Sequence, residues 1–240
     1  MLKTKETDGG KTKIMHIDRI DSLQALAERV EELGFLPFFR NEIPGFSIEE
    51  HTPARLWFSE TEDGPWEWKG PVASNGRCVY GKFFKGRAGF ISLRWFPAFA
   101  NYRRGGYDFD ALYEDGFAAH KDKAVYDALQ TAGSLLSREL KRRCGYGKDG
   151  GKGFDTVITR LQMRSYVSIA DFEYQMDRCG RPYGWGVARY STPEAQFGEA
   201  LMEEAYRQEP EESRRRVYAY LRELTGAEDR MLAKMLGDRL

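Results

Sequence analysis

Gly153-Phe154-Asp155-Thr156-Val157-Ile158-Thr159-Arg160-Leu161-Gln162-Met163-Arg164-Ser165-Tyr166-Val167-Ser168-Ile169-Ala170-Asp171-Phe172 changes its hydrophobic period in mid-course. In the first half Phe154, Val157, Ile158 and Leu161 stand at i, i+3, i+4 and i+7, the stripe of an amphipathic helix. Thr156, Thr159, Arg160 and Gln162 are left on its other faces. After Ser165, β-branched and aromatic residues take over as far as Met176, which predicts a strand. Asp177-Arg178-Cys179-Gly180-Arg181-Pro182 supplies a turn, and Tyr183 to Tyr190 a returning strand.

Two more helices precede this unit. Lys121 to Thr131 places Ala124, Val125, Ala128 and Leu129 on one face. Ser137 stands where its hydroxyl would cap a helix over Arg138-Glu139-Leu140-Lys141-Arg142-Arg143, and Gly145 offers a left-handed stop. The glycine-rich run Gly147 to Gly153 then leads into the third helix. Three helices followed by a hairpin predict a winged helix, a helix-turn-helix with a β-hairpin wing, over residues 121–192.

Outward toward the N-terminus, Leu23, Leu26, Ala27, Val30 and Leu33 predict a helix capped by Asp21 or Ser22 and ended by Gly34. Thr52 to Phe58 reads as a short helix with Pro53 at its first position. Gly64-Pro65 and Gly70-Pro71 bracket Trp66-Glu67-Trp68, which predicts a tight loop. Alternation from Cys78 to Ile91 predicts two strands joined at Lys85-Gly86-Arg87. Ser92 would cap a short helix holding Trp95 and Phe96, and Asn101 to Tyr113 reads as irregular. Beyond Pro193 three apolar stripes predict a helical tail: Phe197, Leu201 and Ala205; Val217, Leu221 and Leu224; and Met231 with Met235 or Leu236. The fold class is therefore α+β. Its expected parts are a disordered lead-in (1–13), an aromatic-rich α+β domain that could itself be a divergent winged helix (14–120), the winged-helix domain (121–192) and the helical tail (193–240). Two cores are expected from the length.

The 240 residues hold 37 Lys and Arg against 37 Asp and Glu, so no global field draws the chain to a polyanion. Affinity for nucleic acid must then come from segregated charge. Between Arg138 and Arg164 the bases Arg138, Lys141, Arg142, Arg143, Lys148, Lys152, Arg160 and Arg164 face only Glu139, Asp149 and Asp155. Arg160 and Gln162 are candidates for base edges, which such side chains pair bidentately. Arg142, Arg164, Thr156 and Thr159 complete the expected helical surface, and Lys148, Lys152, Arg178 and Arg181 are candidate phosphate contacts. Double-stranded DNA, intact or damaged, is the expected partner.

Trp57, Trp66, Trp68 and Tyr80, with Lys82, are candidates to line a pocket for a flipped base or small ligand, the alternative being ordinary core. Glu67 between two tryptophans is the one catalytic candidate, as a desolvated acid or base. No cofactor or metal is expected. His16, His51 and His120 are isolated, and Cys78, Cys144 and Cys179 have no zinc-ligand spacing and read as free thiols of a reducing, cytoplasmic compartment. No run approaches the roughly 20 apolar residues of a spanning helix. Neither a phosphate-loop pattern nor Gly-x-Ser-x-Gly occurs.

Three blocks, Gly64-Pro65-Trp66-Glu67-Trp68-Lys69-Gly70, Tyr80-Gly81-Lys82-Phe83-Phe84 with Ala88-Gly89-Phe90-Ile91-Ser92, and Pro182-Tyr183-Gly184-Trp185-Gly186, resemble those of bacterial AlkZ-related proteins. These are distant relatives of the AlkZ-like winged-helix DNA glycosylases. The resemblance runs from about Phe35 to Gly198 and implies tandem winged helices that cradle DNA and excise alkylated or crosslinked bases. The glycosylases place a Gln, hydrophobic residue, Gln or Asp motif in their N-terminal part. Here Gln24 is followed by Ala25 and Leu26, and the literal match Gln175-Met176-Asp177 lies at the end of the predicted wing strand, so no catalytic motif carries over. Two other functions fit the same residues: a transcriptional regulator that senses a ligand in the aromatic pocket, and a protein-interaction module.

Overall fold

The computed structural model describes residues 17–147, 151–176, 178–180 and 182–238. The lead-in expected over 1–13 lies outside them. Helix α1 (Leu23–Leu33) begins where the Ser22 hydroxyl accepts the Ala25 N–H at 3.1 Å, and it stops at Gly34 with φ 72°. Strand β1 (Phe35–Pro37) and the single turn α2 (Ile48–His51) follow, then a 3-10 turn at Ala54–Leu56 where a helix was expected.

Helix α3 (Pro65–Ser74) replaces the loop expected around Trp66-Glu67-Trp68. Proline at the first helical position has no N–H to lose, and the Glu67 carboxylate accepts the Gly64 N–H at 2.9 Å, so the punctuation marks a helix start. At Gly70 α3 lies close against a strand of the C-terminal half: a Cβ there would come into ordinary contact with Asp171 Oδ1 at 3.4 Å and Phe172 Cβ at 3.7 Å.

Strands β2 (Cys78–Phe84) and β3 (Arg87–Ser92) form the expected hairpin. Lys85 and Gly86, at φ 51° and 75°, make the left-handed two-residue turn that matches strand twist. Helix α4 (Phe96–Arg104) and helix α5 (Phe109–Glu114) occupy most of the stretch expected to be irregular. Tertiary partners explain the difference, since α4 buries Asn101 and Arg104, two polar residues with no apolar stripe to announce them.

Helix α6 (His120–Ala132), strand β4 (Ser134–Leu136), helix α7 (Ser137–Arg143), helix α8 (Phe154–Met163) and the hairpin β5 (Ser168–Met176) and β6 (Pro182–Ser191) come next. Gly145 has φ 73°, as its stop signal requires. Ser137 is already helical and does not cap α7; the Glu139 carboxylate does so, accepting the Leu136 N–H at 3.1 Å. The tail holds α9 (Pro193–Phe197), α10 (Glu199–Glu203), a 3-10 turn at Glu204–Arg207, α11 (Pro210–Thr225) and α12 (Asp229–Leu236). Its first expected helix is thus broken into short pieces.

All six strands join one antiparallel sheet in the order β1-β3-β2-β5-β6-β4. The two hairpins meet at Tyr80 opposite Ile169. Buried apolar residues from Ile17 to Leu236 form one continuous cluster, which corrects the expectation of two cores. The physical reason is that an open hairpin edge exposes unpaired backbone groups, and the β2 edge satisfies them with β5.

Candidate nucleic-acid interface

Helix α8 buries Phe154, Val157, Ile158 and Leu161, as its period requires, but much of its polar side is also engaged within the chain. Gln162 is 0% exposed; its Oε1 accepts the Lys82 N–H at 3.1 Å and its Nε2 donates to Ile158 O at 3.1 Å. The expectation that Gln162 reads a base edge is corrected: its amide serves the β2 backbone. Thr159 Oγ1 accepts from Lys82 Nζ at 3.2 Å. Arg160 donates to both carboxylate oxygens of buried Asp122, at 3.2 and 2.5 Å, and Arg164 donates to Phe117 O at 3.1 Å. Arg160 therefore ties α8 to α6, its charge offset by Asp122. Of the α8 candidates Thr156 alone is fully exposed, on the first turn beside Asp155.

The segregated charge lies on α7 instead. Arg138, Arg142 and Arg143 are exposed, and none of the three has an ion pair among the described residues. The Lys141 ammonium lies 3.7 Å from Asp155 and 4.9 Å from the centre of the Phe154 ring, over its face. Lys152, just before α8, is exposed, as is Arg178 in the β5–β6 turn. Lys148 and Arg181 lie outside the described residues. Lys141, Arg142 and Arg143 sit in the last turn of α7, where the helix dipole favours positive charge, and Arg138 stands in its first turn.

The aromatic residues pack against one another. Trp57 and Trp66 meet edge to face at 5.8 Å, Phe38 lies 5.6 and 5.5 Å from them, and Tyr80 lies 6.2 Å from Phe38 and 5.8 Å from Phe172. Trp68 and Tyr80 are buried, Trp57 and Trp66 are half-buried, and Phe58, next to Trp57 in sequence, is 82% exposed. Of the rings expected to line a pocket, Trp68 and Tyr80 belong to the core, and Trp57 and Trp66 pack half-buried against it. Lys82 points to α8, away from that cluster's proposed role, through its bond to Thr159.

A family model described as AlkZ related matches residues 20–237. The chain belongs to the AlkZ-related family. Among solved structures, Streptomyces sahachiroi DNA glycosylase AlkZ aligns with 92% of this chain at 10% identity and a TM-score of 0.45. The chain spans 60% of that protein's length. No curated protein matches it. No described helix is long and apolar enough to cross a membrane.

In this AlkZ-related chain Glu67 is exposed and occupied with the α3 cap, which corrects its reading as a desolvated acid or base. The titratable oddity of the same motif is its neighbour. Lys69 is only 5% exposed; its Nζ donates to Trp66 O at 2.8 Å and lies 5.0 and 4.5 Å from the centres of the Trp66 and Phe172 rings. Burial lowers its pKa to about 8, against the opposing pull of the Glu67 charge. In the sequence alone a lysine between Trp68 and Gly70 reads as surface. Arg104 was missed for the same reason. It is 2% exposed and donates to Glu194 at 2.7 Å, Tyr206 at 2.6 Å and Ser165 O at 2.8 Å, so it binds α4, α9 and the α8–β5 junction together. Gln175 and Met176, the literal match to the glycosylase motif, are exposed near the end of β5, and Asp177 lies outside the described residues.

Proposed function

We propose that this protein binds duplex DNA through a winged-helix unit spanning 121–192, and that its role belongs to DNA repair. The observation that carries the reading is the α7 face: Arg138, Arg142 and Arg143 have no carboxylate partner among the described residues, in a chain whose opposite charges otherwise balance. Support for the winged helix comes from the succession α6, β4, α7, α8, β5, β6, with β4 paired to β6 as a third strand beside the hairpin. Membership of the AlkZ-related family supports the repair role. Because Gln162, Thr159 and Arg160 are engaged internally, DNA contact falls on α7, Lys152, Thr156 and the Arg178 turn. Such a surface reads backbone and shape more than base edges.

Fluorescence anisotropy with a labelled duplex, titrated over a range of salt, tests the proposal. Wild-type protein is expected to bind with a strong salt dependence. The R142A/R143A variant, losing two phosphate contacts, should reduce the slope of log K against log salt by roughly 1.8. Binding that is absent, or indifferent to both salt and the double substitution, refutes the reading.

A further inference from the structure

A second cationic feature lies on the tail helices. Arg214, Tyr218, Arg222, Arg215 and Ala219 fall within one sector of α11, and α12 turns back beside it through Asp229 and Ala233. Together they line an open groove of about 350 Å³. Its alanines are short, so the guanidinium groups are not screened from one another by bulky neighbours. At one end Arg214 is steadied by Glu211 at 3.2 Å and by the face of Tyr218, 4.8 Å from the ring centre. At the other, Arg222 donates from Nε and Nη2 to Asp229 at 3.0 and 3.2 Å. Arg215 between them is exposed and has no ion pair among the described residues.

Two carboxylates therefore orient two of the three arginines and leave one positive charge uncompensated. A guanidinium has five N–H donors, so both oriented arginines keep donors free after making these bonds. The Tyr218 hydroxyl donates to Asp238 and does not compete for a guest. Such forks pair with phosphate as readily as with carboxylate, and the donors left free by Glu211 and Asp229 are open to a phosphate's oxygens.

We propose that the α11–α12 groove binds a phosphate group, with Arg215 as its electrostatic anchor and Arg214 and Arg222 as pre-oriented donors. The groove has room for the phosphate and the sugar that carries it. The proposal does not depend on the α7 reading; if that reading holds, the groove is a second contact with a nucleic-acid backbone.

The test uses the full chain and two probes, inorganic phosphate and a short duplex. Titration with phosphate, followed through the arginine Nε–H resonances by NMR, should give saturable shifts at Arg214, Arg215 and Arg222. R215E should weaken binding at least tenfold, and R215K, which keeps the charge without the fork, by a smaller factor. If R215E also lowers duplex affinity and flattens its salt slope, the phosphate belongs to nucleic acid; if duplex binding is unchanged, it belongs to a small phosphate-bearing ligand. No saturable shift, or a response to R215E within twofold, overturns the proposal. Because the α7 variant is measured in parallel, a wild type that binds phosphate but no duplex sinks the DNA reading alone, and duplex binding lost only in R142A/R143A with no phosphate binding sinks the groove alone.

Discussion

Lys69→Met isolates the energetics of the motif that marks the family. An ammonium 5% exposed between Trp66 and Phe172 is held there at a cost that shows in its pKa, lowered from 10.5 to about 8. That gap corresponds to about 3 kcal/mol, and allowing for screening about 2 kcal/mol is a fairer figure. Below pH 8 the lysine is protonated folded and unfolded, so the full penalty applies. As pH rises through about 8 the folded state releases its proton while the unfolded state keeps it up to 10.5, so stability increases with pH. Above pH 9 the effect is masked, because burial raises the Cys78 thiol from 9.0 to about 12 and the unfolded chain then releases its thiol protons first. Between pH 8 and 9 Lys69 should contribute a rise of at most about 1.4 kcal/mol, offset in part as the unfolded thiol begins to ionise toward 9.0, an offset that K69M shares. Methionine has similar length and no charge, and Trp66 O still accepts the Tyr174 hydroxyl at 3.0 Å after substitution. Urea unfolding followed by tryptophan fluorescence should show K69M no less stable than wild type near pH 7, and without the wild-type rise between pH 8 and 9. An equal rise in both proteins, or a K69M variant destabilised by more than about 2 kcal/mol at neutral pH, refutes the account.

Three other substitutions follow from the same geometry. Glu194→Gln removes the charge opposite Arg104, which is 2% exposed, and should cost about 3 to 5 kcal/mol; R104M/E194L should lose less than the sum of the single changes, as a double-mutant cycle in urea will show. Gly64→Ala places a methyl 1.7 Å from Leu56 O, so the backbone must move and the urea midpoint should fall by the equivalent of at least about 2 kcal/mol. Glu67→Ala deletes the α3 cap and should cost roughly 1 kcal/mol in thermal or urea unfolding; a destabilisation near zero would return Glu67 to consideration for some other role.

The sequence was most legible where one apolar stripe meets one neighbour. Helix α8 lies where Phe154, Val157, Ile158 and Leu161 place it, and the β2–β3 and β5–β6 hairpins follow from alternation and their turn residues. It was least legible where a polar residue is buried by a distant partner. Arg104 and Asn101 carry no period, and their burial depends on Glu194, Gln208 and Ser213 far along the chain. Gln162 shows the same limit at the candidate interface. On a helical wheel it borders the apolar stripe one turn after Ile158, where a polar side chain reads as a rim residue, yet the backbone N–H of Lys82, 80 residues away, claims it.

Composition and local pattern by themselves determined the α+β class, the helices α6, α7, α8, α11 and α12 and the β5–β6 hairpin of the second half, the excess of basic residues between Arg138 and Arg164, and the blocks that resemble the family. Those properties depend on neighbours within a few residues, where side-chain direction repeats with the backbone. Tertiary structure alone decided that Tyr80 faces Ile169 and makes two hairpins one sheet, that Lys69 is buried, and that α7 keeps its charge open while α8 uses much of its own internally. Pairing across such distances is selected by the burial of the whole chain at once, and no short window of sequence contains it.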